Sequence, residues 1–170
     1  MNERSSSAVF DSPVGRLCVR AEAGELVALS FVDAPDRGEP AHAGDHTSRK
    51  IVKAVEAQIG EYFAGARTTF DVPMKLTGSP FFMRVWEALR GIPFGTTIAY
   101  GELAKQIGEP DAARAVGLAN GANPIVIIVP CHRVIGANGR LVGYGGGLQR
   151  KRFLLDLESG PLLNYCSMRL

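Results

Sequence analysis

Residues 124–135 read PIVIIVPCHRVI, and this stretch decides how the rest of the chain is interpreted. Five β-branched apolar residues run without interruption from 125 to 129, which is typical of a strand or extended segment buried on both faces. Pro130 then removes a backbone donor and ends any strand pairing. The sequence therefore predicts that a buried element delivers a thiol and an imidazole, those of Cys131 and His132, to its own end.

Cys131 can act as a nucleophile only if its thiolate forms. A free cysteine has a pKa of about 8.5, and apolar surroundings raise it further. His132 is the nearest base, but neighbouring strand residues point to opposite faces. The two side chains can serve one pocket only if the chain turns at Pro130 or if a water bridges them. The alternative is a purely structural cysteine, because unpaired cysteines are among the most buried residue types.

Two short helices are predicted ahead of this stretch, at residues 100–107 and 111–120, and a glycine-containing turn joins them. This is the helix-turn-helix pattern. The exposed face of the second helix consists of Ala113, Arg114 and Gly117. Arg114 has the only long side chain among these residues. Small residues let a backbone approach DNA regardless of sequence, and a lone cation could enter the stack where a base has left. The alternative is a helical hairpin that only packs within its domain, which composition alone favours.

The composition is that of an ordinary globular protein. The chain has 170 residues, 46% hydrophobic and 21% charged. No apolar run reaches the roughly 20 residues needed to cross a bilayer, and the N-terminus has no apolar signal core. Three cysteines are too few for a disulfide framework. We therefore expect a cytoplasmic protein with no membrane partner, in a compartment that keeps thiols reduced.

Charge is distributed unevenly along the chain. Residues 1–80 carry nine Lys and Arg against eleven Asp and Glu, a net charge of −2, whereas residues 81–170 carry ten against six, a net charge of +4. The half that contains Cys131 is therefore the basic one. This net positive charge is compatible with nucleic-acid binding, although a charge excess this small usually reflects only a solvent-exposed surface.

The first part of the chain predicts a small antiparallel sheet followed by a helix. Alternating apolar residues and intervening turns predict strands at residues 7–11, 17–21 and 26–31. A domain boundary is expected near Gly78. The predicted class is α+β, with an N-terminal α/β domain over residues 1–78 and a mostly helical domain over residues 79–170.

Capping residues predict where the helices begin. Thr47 or Ser48 is expected to cap a helix that runs to about residue 64, and Ser79 a helix whose first residue is proline. Asp111 is expected to cap the second helix of the helix-turn-helix, and a last helix is predicted at residues 147–158. The predicted apolar faces are Ile51, Val55, Ile59 and Phe63 in the first helix and Leu148, Phe153, Leu154 and Leu157 in the last.

The histidines outside the central stretch offer one weak metal candidate. His42 and His46 are four residues apart, which on a helix could make half a metal site. They fall in or beside a loop rich in Pro and Gly, and Cys18 is the nearest further ligand. We therefore predict neither a metal nor a cofactor.

The central stretch also resembles the active-site motif of the O6-alkylguanine-DNA alkyltransferases, or methylated-DNA–protein-cysteine methyltransferases. The matching residues are Pro130-Cys131-His132-Arg133-Val134, with Asn123-Pro124 ahead of them and Tyr144-Gly145-Gly146 behind them. The likeness runs from about Phe81 to Glu158, and the earlier part matches more loosely. It implies a ribonuclease H-like N-terminal domain and a winged-helix-like, DNA-binding C-terminal domain.

The resemblance implies that the chain repairs alkylated DNA directly. In the family a damaged guanine is rotated out of double-stranded DNA, and its O6-alkyl group passes irreversibly to the cysteine, here Cys131. O4-alkylthymine is repaired more weakly. The implied protein is a monomer that reacts once and uses no cofactor.

By match of position, the resemblance also assigns roles to other residues. His132 is a base acting through a water, and Glu158 orients it. Asn123 holds the active-site turn, and Tyr100 helps to protonate the guanine. Arg114 is the arginine that replaces the flipped base. The remaining assignments are DNA contacts at Ala113, Gly117 and Tyr100 and substrate contacts at Val134, Tyr144 and Gly145.

Two other classes of protein are compatible with parts of the sequence. Alkyltransferase-like proteins sense lesions without repairing them, but they lack the cysteine that this chain has at position 131. A cysteine hydrolase could use Cys131 and His132, and it would turn over repeatedly. The zinc site of some family members would need more Cys and His in the N-terminal half than are present.

Overall fold

The computed structural model describes residues 4–33 and 44–160, so the prediction about His42 lies outside the described residues. The chain divides into two compact units. Residues up to Leu76 and the segment Pro124–Val126 form the first unit, and the chain from Thr77 to Asn123 and from Ile127 onward forms the second.

The first unit is a three-stranded antiparallel sheet with one helix packed against it. The elements are β1 (Ser5–Ser12), β2 (Gly15–Glu22), β3 (Glu25–Val32) and α1 (His46–Phe63), with β2 in the middle of the sheet. Leu17, Val19 and Ala21 alternate along β2 and are fully buried. Strict alternation in the sequence therefore places one face of the sheet in the core, as predicted.

Helix α1 begins earlier than predicted. Its cap is Asp45, whose carboxylate accepts a hydrogen bond from the Ser48 N–H at 2.9 Å, so the expected cap at Thr47 or Ser48 is wrong. The buried face consists of Ser48, Val52, Val55, Ile59 and Tyr62. The predicted stripe advanced four residues at each step, whereas an α-helix turns every 3.6 residues, so the predicted face drifted away from the buried one.

The second unit is mostly helical. Its elements are α2 (Pro80–Arg90), β4 (Ile98–Ala99), α3 (Tyr100–Gln106), α4 (Ala113–Gly121), a 3₁₀ helix (Cys131–Arg133), β5 (Val134–Ile135) and α5 (Leu148–Ser159). The predicted cap of α2 is confirmed, since the Ser79 hydroxyl accepts from the Phe82 N–H at 3.2 Å. Helices α2, α3 and α4 pack together, and β4 pairs with β5 in parallel. The predicted α+β class, with a small sheet first and helices after it, is confirmed.

Helix α4 starts later than predicted. Asp111 does not cap it, and Ala112 occupies the cap position without a side-chain hydrogen bond. The reason is that a separate turn precedes the helix. In this turn the Ala112 N–H donates to the Glu109 carbonyl at 2.9 Å. Asp111 lies inside this turn and is exposed.

Four of the five residues at 125–129 are buried, but the run is not a strand. Only Ile125 pairs with Leu29 of β3, and residues 126–128 form a turn. Ile127 is fully buried and has φ 70°, in the left-handed region that a β-branched residue rarely adopts. The apolar run thus correctly indicated burial, but not the backbone conformation.

Within the described ranges, none of the helices has the length and hydropathy that a membrane span requires.

Candidate active site

The chain turns directly before Cys131. Pro130 is followed at once by the 3₁₀ helix, so Cys131 and His132 are not placed on opposite faces of a strand. The turn is held from within, because the Asn123 side-chain amide donates to the Val129 carbonyl at 2.7 Å and the Cys131 N–H donates to the same oxygen at 2.8 Å. The chain therefore turns at the proline, which is one of the two ways in which the two side chains could serve one pocket.

The Cys131 thiol is protonated at rest. It is only 3% exposed, and burial raises its pKa, although the polar side chains of Asn123 and Tyr144 and the positive charge of Lys151 act in the opposite direction. Cys131 is a free thiol. Because the thiol form dominates, nucleophilic attack by this sulfur needs a base that removes its proton.

His132, Arg133 and Glu158 form a buried charged cluster beside the thiol. His132 Nε2 lies 2.7 Å from Glu158 Oε1, and Arg133 binds both carboxylate oxygens at 2.8 and 2.9 Å. Arg133 also donates to the Ile92 carbonyl at 2.6 Å and lies over the Phe94 ring. The two-point contact between a guanidinium and a carboxylate fixes the orientation of Glu158 and therefore of the imidazole.

Burial, opposed by the Glu158 carboxylate, favours a neutral His132. Burial alone would raise the pKa of Glu158, but its hydrogen bonds with His132 and Arg133 outweigh burial and lower it to about 2. Burial lowers the pKa of His132. The hydrogen bond with Glu158 and the charge of its carboxylate act in the opposite direction, whereas the positive charges of Arg133 and Lys151 act with burial. Since the ionised carboxylate accepts, His132 Nε2 carries the proton. His132 Nδ1, which has no hydrogen-bond partner among the described residues, is the basic atom.

A second network surrounds Tyr100, at the start of α3. The Tyr100 hydroxyl lies 3.3 Å from the carbonyl oxygens of both Val142 and Gly143. Lys151 is fully buried, donates to the Val134 carbonyl at 2.5 Å and to the Val142 carbonyl at 3.0 Å, and faces the Tyr100 ring at 5.7 Å. Burial lowers the pKa of Lys151 to about 8 and raises that of Tyr100.

Lys151 and Asn120 were missed by the sequence analysis. Lys151 lies on the buried face of α5, with Leu154, Leu155 and Glu158 at helical spacing. The predicted face of α5 was only partly right, because Leu154 is fully buried but Leu148 and Phe153 are 40% and 41% exposed. The signal that could have found Lys151 is its position seven residues before Glu158, on the same side of a helix.

Three of the four predicted DNA contacts lie on helix α4, and the fourth, Tyr100, begins α3. Arg114 is exposed, and Ala113 and Gly117 are partly exposed. A Cβ atom at Gly117 would lie 3.9 Å from the Tyr100 ring, which is ordinary contact. Leu118, on the same helix, is 69% exposed. The accessible side of α4 is therefore short and weakly polar apart from one guanidinium.

Two of the predicted substrate contacts, Val134 and Tyr144, lie close to Cys131 and Lys151. Val134 is buried, and its carbonyl is held by Lys151. The Tyr144 side chain lies close enough to Cys131 to lower the pKa of its thiol. Gly145 is exposed in the loop after it, where a Cβ atom would lie 3.5 Å from the Gly121 carbonyl oxygen at the end of α4. Among the described residues, no group of three or more His, Cys, Asp or Glu side chains is placed to hold a metal ion.

Comparison with known proteins gives these residues a context. A family model described as "6-O-methylguanine DNA methyltransferase, DNA binding domain" matches residues 80–160, and one described as the ribonuclease-like domain of the same enzyme matches residues 7–76. A methylated-DNA–protein-cysteine methyltransferase from Mycolicibacterium paratuberculosis is 56% identical over 149 residues, covering 87% of this chain and 88% of the relative. The chain belongs to the methylated-DNA–protein-cysteine methyltransferase family.

Solved structures agree with this family membership, which the sequence resemblance had indicated. The crystal structure of Mycobacterium tuberculosis OGT in complex with DNA matches with a TM-score of 0.78 and 50% identity, covering 89% of this chain and 91% of that chain. The Pyrococcus kodakaraensis O6-methylguanine-DNA methyltransferase matches with a TM-score of 0.54 at 22% identity, over 92% and 99%. The latter likeness shows that the two chains share a fold.

Proposed function

We propose that this chain repairs DNA by transferring the O6-alkyl group of an alkylated guanine to Cys131, and more slowly the alkyl group of O4-alkylthymine. The observation that carries the proposal is the buried Cys131 thiol beside the cluster of His132, Arg133 and Glu158, in a chain of this family. The sulfur keeps the group as a thioether. Each molecule therefore reacts once.

The proposed reaction begins with proton removal from Cys131. His132 Nδ1 takes this proton through a water molecule, and Glu158 stabilises the resulting imidazolium. The thiolate attacks the alkyl carbon, the S–C bond forms and the C–O6 bond breaks. The electron pair of the broken bond passes into the purine, and Tyr100 gives its proton to the purine ring. Asn123 keeps the turn in place by its bond to the Val129 carbonyl.

The proposed DNA contacts use the accessible side of α4. Ala113 and Gly117 let the helix backbone approach the duplex, Tyr100 lies beside them, and Arg114 occupies the space from which the damaged base has left. The flipped base is then held by the Val134 carbonyl, the Tyr144 side chain and the Gly145 N–H. None of these contacts depends on base sequence around the lesion, so binding relies on charge and lesion shape.

The wider assignments are also proposals. Residues 1–78 and 79–170 are proposed as the two domains, the second carrying the chemistry. Double-stranded DNA with an alkylated guanine is the proposed partner of a monomer. The cytoplasm is the proposed location, because a nucleophilic thiol at Cys131 needs a reducing compartment.

The direct test is transfer of an isotope-labelled methyl group from a duplex that contains one O6-methylguanine. Peptide mapping should find the label in the peptide that contains Cys131. The half-buried Cys18 on β2 serves as an internal control for nonspecific alkylation. Label released as methanol over repeated cycles, or label found mainly at Cys18, would contradict the proposal.

Arg114→Ala should slow repair of duplex DNA by about 100-fold and change the reaction with free O6-benzylguanine less than threefold. Base extrusion costs a few kcal/mol, and the free base does not need it. The control is Arg90→Ala, which removes another exposed arginine, at the end of α2. If both substrates lost the same factor with Arg114→Ala, or if Arg90→Ala behaved alike, Arg114 would have no part in extrusion.

A further inference from the structure

Asn120 lies in the last turn of α4 and joins two parts of the site. It is 3% exposed. Its Nδ2 donates to the Cys131 carbonyl at 3.2 Å and lies 3.5 Å from the Tyr100 hydroxyl oxygen. One amide nitrogen therefore lies within hydrogen-bond distance of both the main chain of the proposed nucleophile and the proposed acid.

The orientation of the Asn120 amide is fixed by its surroundings. If the amide were flipped, Oδ1 would face the Cys131 carbonyl oxygen, acceptor against acceptor. The Cys131 carbonyl also accepts the Val134 N–H, so both of its lone pairs are engaged. Asn120 Oδ1 has no hydrogen-bond partner among the described residues, so the amide makes its contacts through Nδ2.

The contacts of Tyr100 indicate why a donor is needed there. Its hydroxyl proton faces the carbonyl oxygens of Val142 and Gly143, which accept but cannot donate. Lys151 approaches the Tyr100 ring and binds those same carbonyls with its ammonium. When Tyr100 loses its proton, the phenolate oxygen needs a donor, and the Asn120 Nδ2 is placed to supply one.

We propose that Asn120 is a positioning residue that holds the Tyr100 hydroxyl at a fixed distance from the Cys131 turn and stabilises the phenolate formed during transfer. This rests on the proposed function. As S–C forms and C–O6 breaks, the Tyr100 proton moves to a ring nitrogen of the purine. The phenolate later recovers a proton from the His132 imidazolium through water, so no proton is gained or lost overall.

The test is a double-mutant cycle on single-turnover methyl transfer. Asn120→Leu keeps the branched shape and the number of heavy atoms but removes both donors. It should slow transfer about tenfold in the wild-type background, as expected for one lost hydrogen bond to a charged group. In the Tyr100→Phe background it should change the rate less than twofold, because the phenolate no longer forms. Asn120→Ala provides a second variant that lacks the donor.

A readout without DNA separates this role from a structural one. The chain has four tyrosines, and ¹³C labels at their Cζ atoms report each phenol. The Tyr100 signal is assigned by its absence in Tyr100→Phe. Asn120→Leu and Asn120→Ala should both raise the pKa of Tyr100, because a donor to the phenolate is lost. Emission of Trp86, whose indole N–H binds the Ala119 carbonyl, checks that α4 is intact.

Equal losses in both backgrounds, or an unchanged Tyr100 pKa in a folded variant, would overturn the role of Asn120. Failure of the wild-type protein to methylate Cys131 would instead overturn the proposed function, and it would leave the titration of Tyr100 interpretable. The two failures are thus distinguishable.

Discussion

Cys131→Ser should abolish methyl transfer, with a loss on the order of 10⁴-fold or more. Serine has nearly the same shape, but its hydroxyl gives up a proton far less readily than a thiol, and a neutral imidazole cannot activate it to the same degree. Binding to duplex DNA with one O6-methylguanine should persist, because α4 and the surrounding hydrogen bonds do not change. Label transfer and DNA binding should be measured on the same preparation. Together they test whether methyl transfer is lost while binding is retained.

The matched control is Cys18→Ser. Cys18 is half-buried in the middle strand of the sheet. This variant should transfer methyl at the wild-type rate. If Cys131→Ser still accepted the label at a substantial rate, another residue would be the acceptor.

Arg133→Met should destabilise the protein by about 3–5 kcal/mol, which lowers Tm by about 10 °C in a chain of this size. The guanidinium compensates the buried Glu158 carboxylate and satisfies the Ile92 carbonyl, and methionine can do neither. Loss of a positive charge beside His132 should also raise the pKa of that imidazole, so transfer at neutral pH should fall as the base becomes protonated. Denaturant unfolding and a pH–rate profile measure the two effects.

The control is Arg84→Met, the same substitution in the exposed ion pair with Glu109. It should cost no more than about 1 kcal/mol.

The dependence of stability on pH gives a further test of the buried cluster. Glu158 has a lowered pKa, so its contribution to stability is present above about pH 4.5 and is lost as pH falls towards 2. Arg133→Met should flatten this part of the stability curve. Equal costs for the two variants would contradict the role of the cluster.

The sequence predicted which elements exist better than it predicted where they begin. Ser79 and Pro80 predict the start of α2, because a hydroxyl at the N-cap and a proline at the first helical position suit the first turn of a helix. Asp111 has the same chemistry, yet a preceding turn takes it out of the helix. Whether a polar residue caps a helix thus depends on the backbone before it, which residue type alone does not report.

The backbone of the central run could not be predicted from residue type. Hydrophobicity at residues 125–129 indicates burial, and β-branching favours a strand. Tertiary contacts override this preference, since Ile125 pairs with Leu29 and Ile127 is held with positive φ. The local penalty is of order 1–3 kcal/mol and has to be offset by burial and by the Asn123 hydrogen bond. Strain of this kind depends on the whole fold.

The residues of the candidate site could be predicted only in part from the sequence. The motif and the resemblance predicted Cys131, His132 and Glu158, which lie in the candidate site. Lys151 and Asn120 were missed because charged and amide side chains are normally assigned to the surface. A buried Lys151 becomes understandable only with the carbonyls of Val134 and Val142 around its ammonium, and these come from distant parts of the chain.

The most direct test of the central claim is the intact mass of the protein after incubation with a large excess of duplex DNA that contains O6-methylguanine. We predict one heavier species, with a gain of about one CH₂ per chain, and an amount of repaired DNA equal to the amount of protein. Repair of several lesions by each molecule, with the mass of the protein unchanged, would contradict a single transfer to Cys131.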